Sequence, residues 1–272
     1  MGTALAPRYE ALGFAGTGER GDGVSVYVAG GGDGEPVLLL LHGLGATGAV
    51  WDGLAELLPG HWPGAWVIPD LPGHGRSDRL PRYSMGAMAA AVAEAVEPGR
   101  RVVVLGHSLG GAVGLALASG WFGVDVVAVC GLGIKVRWSA DDLAKAAQVA
   151  ARPGRVFGSR AEAAERALRV AGLTGLASPD SPVLDSAVTE ADGGWRLTLD
   201  PAAFGVGAPA MTGLLRACHG EVILAAGEHD PMSPREHLAD LLPDPVVLPG
   251  LGHNAHVEDP AALLPVLDRL HG

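Results

Sequence analysis

Three residues of the types needed for nucleophilic acyl chemistry stand where buried strands should end. Ser108 sits in "VVVLGHSLGGAVGLALA", Val102 to Ala118, flanked by Gly106 and Gly110 in a G-x-S-x-G pattern. A serine hydroxyl attacks a carbonyl poorly until a base removes its proton, and the base needs an acid to orient it. Asp230 lies in "LAAGEHDPMSP" and His253 in "LPGLGHNAHVEDP", each just beyond an apolar run. The chain order Ser, Asp, His is the one this constellation takes on a strand–turn–helix scaffold. His229 and His256 are rivals for the base. His229 adjoins Asp230 and should point away from it, whereas His256 lies close to the start of the final helix. Gly252 leaves the loop of His253 free to reach inward, which favours His253. Asp125, Asp141 and Asp142 are the reserve acids.

The glycines beside Ser108 have a steric reason. A serine on a sharp strand-to-helix turn adopts strained backbone geometry that lifts its hydroxyl above the sheet, and side chains at the flanking positions would clash. The Leu109 N–H then points toward the anion formed during attack. A second glycine motif, "LLLLHGLGATGAVWDGLAELL", places Gly43, Gly45 and Gly48 in G-x-G-x-x-G after a strand, with Asp70 about 20 residues on. That spacing also suits a dinucleotide-binding turn and a nicotinamide-dependent oxidoreductase. The oxidoreductase reading leaves Ser108, Asp230 and His253 without roles. If the loop belongs to the same site as Ser108, its Leu44 N–H supplies the second anion-binding donor.

Buried strands must carry these residues. "PVLLLL", "AWVIPD", "RVVVLG", "VDVVAVCG", "EVILAAG" and "PVVLPG" are short, continuously apolar runs, the signature of strands covered on both faces. "VSVYVAG" alternates and predicts an antiparallel edge strand. Helical patterns over Val50–Leu58, Met85–Val96, Leu109–Ser119, His237–Leu242 and Ala261–Leu270 separate the runs. Alternating strand and helix predicts an α/β fold, a mostly parallel doubly wound sheet flanked by helices. The rhythm breaks between about Lys135 and Gly207. Two Ala-rich helices there, "SADDLAKAAQVAARP" and "SRAEAAERALRVAGL", precede a looser stretch ending "DGGWRLTLDPAAFG". We read residues 135–207 as a small helical cap inserted into a core made of 1–134 and 208–272. Its Trp138, Phe157, Trp195 and Phe204, together with His42, are the candidates for contact with an apolar substrate.

The 272 residues are 48% hydrophobic, enough for a sizeable single core, and carry a net charge of −11. That acidity disfavours nucleic acid and anionic membrane as partners. "MGTALAPRYE" lacks an apolar leader core, and Ala6 breaks the myristoylation pattern that Gly2 would begin. A cytoplasmic location is expected. Cys130 should sit at the C-terminal end of one strand and Cys218 just before another, opposite edges of a parallel sheet and too far apart for a disulfide. The histidines show no metal-ligand spacing, so neither metal nor cofactor is expected.

The pieces "LLLLHGLGATGAVW", "VIPDLPGHGRSD", "VLGHSLGG", "ILAAGEHDPMSP" and "LGHNAHVEDP" resemble the α/β-hydrolase fold superfamily, in its esterase, perhydrolase and C–C hydrolase branch. They follow the family's order and span nearly the whole chain outside 135–207. The resemblance implies Ser108 as nucleophile, Asp230 as acid, His253 as base, and the Leu44 and Leu109 N–H groups as the oxyanion hole. It implies a serine hydrolase acting on a small acyl substrate, an ester, thioester or lactone. A C–C hydrolase, a perhydrolase and a turnover-free ligand receptor share the fold and stay open as alternatives. Serine at 108 sets the chain apart from branches that use aspartate there.

Overall fold

The computed structural model describes residues 8–12 and 24–271. The readings made on Met1, Gly2 and Ala6 lie outside the described residues. In chain order the strands are β1 (Arg8–Leu12), β2 (Val26–Gly31), β3 (Val37–Leu41), β4 (Trp66–Pro69), β5 (Arg101–His107), β6 (Asp125–Leu132), β7 (Val188–Ala191), β8 (Gly194–Leu197), β9 (Glu221–Gly227) and β10 (Val246–Leu248). The helices are α1 (Asp52–Ala55), α2 (Met85–Ala93), α3 (Leu109–Leu117), α4 (Ala140–Ala150), α5 (Arg160–Ala171), α6 (Met211–Ala217), α7 (Arg235–Ala239), α8 (Ala255–Glu258) and α9 (Leu264–His271).

Eight strands form one sheet in the order β1-β2-β4-β3-β5-β6-β9-β10. From β4 through β10 every pairing is parallel, and β2 runs antiparallel to both β1 and β4. The run "VSVYVAG" is therefore antiparallel as expected but lies one strand in from the edge, because β1 covers its outer side. The central strands are apolar along their length because helices cover both faces: all five residues of β3 are buried, as are six of the seven in β5. Two apolar layers result. One gathers Trp51, Leu54, Leu105 and Leu267, the other Leu41, Val104, Val113 and Met88.

Parallel strands deliver their C-terminal ends to one edge of the sheet, and functional residues collect at that edge in open α/β sheets. Ser108 follows β5, Asp230 follows β9 and His253 follows β10. Asp125 begins β6 and so lies at the opposite edge, which removes it as a reserve acid.

Between β6 and α6 stand α4, α5 and a β7–β8 hairpin. The hairpin corrects the looser stretch expected after the two helices. Asp192-Gly193 makes its turn, with Gly193 at φ 82°, and an Asp-Gly pair between strands is a direct hairpin signal. Cys130 is buried and free, and Cys218 is half-buried and free. Burial pushes the Cys130 thiol up to about 12.

Candidate active site

Ser108 has φ 51° and ψ −112°, a left-handed conformation that a non-glycine residue adopts only under constraint. Its N–H donates to Leu132 O at 2.8 Å, which ties the turn to the end of β6. A Cβ on Gly106 would strike the Gly110 carbonyl, and one on Gly110 would strike the Leu41 carbonyl. Both flanking positions therefore admit only glycine in this geometry. Leu109 is the first residue of α3, so its N–H has no partner inside the helix. Among the described residues the Leu44 N–H and the Ser108 hydroxyl make no hydrogen bond. All three groups border a cavity of about 470 Å³, which His253 also lines.

Asp230 and His253 are joined directly. His253 Nδ1–H donates to Asp230 Oδ2 at 2.9 Å. The other carboxylate oxygen accepts from the Met232 N–H at 2.8 Å and the Ser233 N–H at 3.3 Å. Asp230 is thus buried with both oxygens satisfied, which fixes its direction. With Nδ1 carrying its proton, the neutral imidazole keeps Nε2 free to act as an acceptor.

The rival histidines are placed elsewhere. His229 is exposed, and its backbone N–H donates to Leu251 O. His256 is buried against Trp51 and His107, with ring centroids 4.5 and 4.3 Å away, and neither of its nitrogens has a partner. Burial holds its pKa down to about 3. Asp141 pairs with Lys145 on the surface, while Asp142 lines the cavity but is bound to Lys135 at 2.9 Å and held down to about 2 by that contact.

Of the proposed substrate contacts, Trp138 and Phe204 line the cavity; Phe157, Trp195 and His42 do not. Phe157 and Trp195 bond to each other through their backbones, at 2.7 and 2.9 Å; Phe157 is buried in the apolar layer that holds Trp51, with Trp195 half-buried against it. His42 is wholly buried: Nδ1–H donates to Gly43 O and Nε2 accepts from the Leu71 N–H, both at 2.8 Å. It braces the 43–48 loop against the chain leaving β4, and burial lowers its pKa to about 4. Asp70 has the same kind of role. It is buried and accepts from the Gly48 N–H at 2.7 Å and the Arg76 N–H at 2.9 Å. Both oxygens are thus engaged by backbone N–H groups that hold the loops after β3 and β4, a structural role for Asp70 that needs no ribose.

Two residues of the site escape sequence reasoning. His107 Nε2–H donates to His253 O at 2.9 Å, and its ring centroid is 4.7 Å from that of His253. It occupies a variable position of the G-x-S-x-G pattern, and nothing local announces its partner 146 residues away. Asn254 Nδ2–H donates to Gly172 O at 2.9 Å, linking the loop of His253 to the end of α5. Gly172 ends α5 in a left-handed conformation, and nothing local announces its partner 82 residues away. Among the described residues no group of three or more His, Cys, Asp or Glu is arranged to hold a metal, and no helix is long and apolar enough to cross a membrane.

The mostly parallel sheet brings Ser108, Asp230 and His253 to its carboxyl edge, an arrangement that defines a class of α/β fold. The chain belongs to the alpha/beta hydrolase family, which it matches over residues 38–266. A pimeloyl-[acyl-carrier protein] methyl ester esterase of Klebsiella pneumoniae is 42% identical over 87 residues, 32% of this chain and 32% of that protein. The match thus spans a third or less of the length of the first curated relatives. Among solved structures, a thioesterase domain from the curacin biosynthetic pathway aligns with a TM-score of 0.75 at 22% identity, covering 96% of this chain and 99% of that one. An esterase from Mycobacterium tuberculosis aligns with a TM-score of 0.71 at 21% identity, covering 98% and 92%. These two likenesses are likenesses of fold.

Proposed function

We propose that this protein is a serine hydrolase that cleaves a small, mainly apolar ester or thioester through an acyl-enzyme. The observation that carries the reading is the juxtaposition at one cavity. A strained Ser108 and a His253 already held by the buried Asp230 carboxylate face the same space. Ser108 Oγ attacks the acyl carbon while His253 Nε2 takes its proton. The Leu44 and Leu109 N–H groups donate to the oxygen that becomes negative, and Asp230 stabilises the imidazolium. Collapse of the tetrahedral intermediate breaks the bond to the alcohol or thiol, which leaves with the proton from His253. Water then repeats the sequence and releases the acid. The esterase and thioesterase names carried by relatives and neighbours agree with this chemistry. We also assign residues 135–207 the role of a cap, since Trp138, Val149, Val170 and Phe204 from that segment close the apolar side of the cavity.

A fluorophosphonate probe with intact-mass and peptide mapping tests the assignment. One adduct is expected, on Ser108, and none in Ser108→Ala. Labelling that survives the substitution would remove Ser108 as nucleophile.

A further inference from the structure

The chain carries a net charge of −11, yet the lining of the active-site cavity is charged the other way. Lys135, Lys145 and Arg169 border it, with Asp142 as the one lining carboxylate. Lys135 is committed: it is bound to Asp142 and stands over the Trp138 ring with its Nζ 4.8 Å from the centroid. Lys145 and Arg169 are different. Both are more than half exposed, and among the described residues each pairs with an acid one turn back on its own helix, Asp141 at 2.6 Å and Glu165 at 3.7 Å. Such exposed i,i+4 pairs are weak and open readily when a better anion arrives. Arg169 also sits in the last turn of α5, one residue before Val170, whose side chain abuts Gly45 of the 43–48 loop. A guanidinium is thereby anchored on a fixed element beside an apolar cavity, and its fork suits a carboxylate or phosphate.

Building on the serine-hydrolase reading, we propose that the preferred substrates are anionic amphiphiles: esters or thioesters with an apolar arm that ends in a carboxylate or a phosphate. Leu44, Ala112, Ile134, Val149 and Val170 take the apolar arm, and Lys145 and Arg169 take the anion at the mouth. The anion sits either at the far end of the acyl chain or on the leaving group.

Binding to Ser108→Ala tests this without turnover. By calorimetry, monomethyl suberate should bind about two- to thirtyfold more tightly than dimethyl suberate, the yield of two partly exposed charge contacts. If the anion belongs to the leaving group, hexanoyl-coenzyme A should show the preference instead, over the hexanoyl thioester of N-acetylcysteamine. Preference in either arm supports the proposal and says which end is charged. Lys145→Gln/Arg169→Gln should bring the ratio to about one. Arg152→Gln, exposed and away from the lining, should leave it unchanged. One molar salt should shrink it, since the screening length falls from ~10 Å at 0.1 M to ~3 Å. Ratios near one in both arms, or a ratio untouched by the double substitution, would overturn the proposal. That result leaves the serine hydrolase standing, which fails separately if the fluorophosphonate does not label Ser108.

Discussion

Helices α4 and α5 both border the cavity and both start at a serine whose side chain caps the first turn, yet they are held in opposite ways. α5 buries Ala163, Ala164, Ala167 and Leu168 in the same apolar layer as Trp51. Its end is gripped by the chemistry-bearing loops: Val170 packs on Gly45, and Asn254, next to His253, holds the Gly172 carbonyl. α4 buries nothing. A capping box of Ser139 and Asp142 and two salt bridges hold it, and its Leu143 is 39% exposed while lining the cavity. One wall of the cavity is thus tied into the apolar layer and the loops beside Ser108 and His253, and the other, with no fully buried residue of its own, rests on residues 201–206 and on its polar contacts. Local opening follows the number of buried apolar contacts, so the two walls should differ in motion as well as in energy.

The fixed wall should be the costly one to disturb. Gly45 has φ 82°, and a Cβ there would lie 2.5 Å from a Val170 methyl. Gly45→Val should cost about 3 kcal/mol or more in urea unfolding, from overpacking plus left-handed strain. Val170→Ala in the same chain should return part of that loss. Full stability in Gly45→Val alone would show that α5 is not gripped by this loop.

Acid should weaken the scaffold next. His42, His74 and His256 are wholly buried, and burial lowers their pKa values to about 4, 3 and 3 from about 6.5. Below pH 6.5 the unfolded chain protonates these rings while the folded chain does not, so the unfolded state binds more protons and stability falls. The contribution is intact above pH 6.5 and lost as pH drops toward 3–4, by at most about 1.4 kcal/mol per pH unit for each ring. His256→Leu should flatten the slope between pH 6.5 and 4 by one ring's share. At pH 7 it should cost little, because neither ring nitrogen has a partner to lose. An unchanged slope would mean that His256 is not buried neutral.

The smallest effect belongs to the attached wall. Ser139→Ala removes the α4 cap and should cost about 1 kcal/mol locally, with little change in Tm. Hydrogen exchange should already be faster in 140–150 than in 160–171, and the substitution should widen that gap. Equal protection in both helices would erase the contrast.

Much of this was legible in sequence because the informative residues act locally. Glycines beside Ser108 announce the turn, and continuous apolar runs announce strands covered on both faces, which places Asp230 and His253 at the same edge as Ser108. The errors share a cause. An aromatic ring in residues 135–207 reads as a pocket residue, but Phe157 and Trp195 are joined by their backbones and packed against the Trp51 layer, away from the cavity lining. His42 and Asp70 look available for ligands, yet their polar atoms are consumed by Gly43, Leu71, Gly48 and Arg76. Only the three-dimensional accounting of hydrogen bonds shows which polar side chains are already spent. His107 is the converse: a variable letter in a motif that turns out to hold the backbone of His253.

The left-handed turn at residue 108 also has a consequence for descent. The strain belongs to the backbone and Cβ, so Ser108→Ala loses the hydroxyl but keeps the strain, whereas Ser108→Gly sheds both. Two equally silent variants should therefore differ in stability by ~1 kcal/mol or more in favour of glycine, readable as a difference in Tm. Equal melting points would show that the turn stores no such energy. A lineage released from selection for turnover would gain stability by drifting to glycine here.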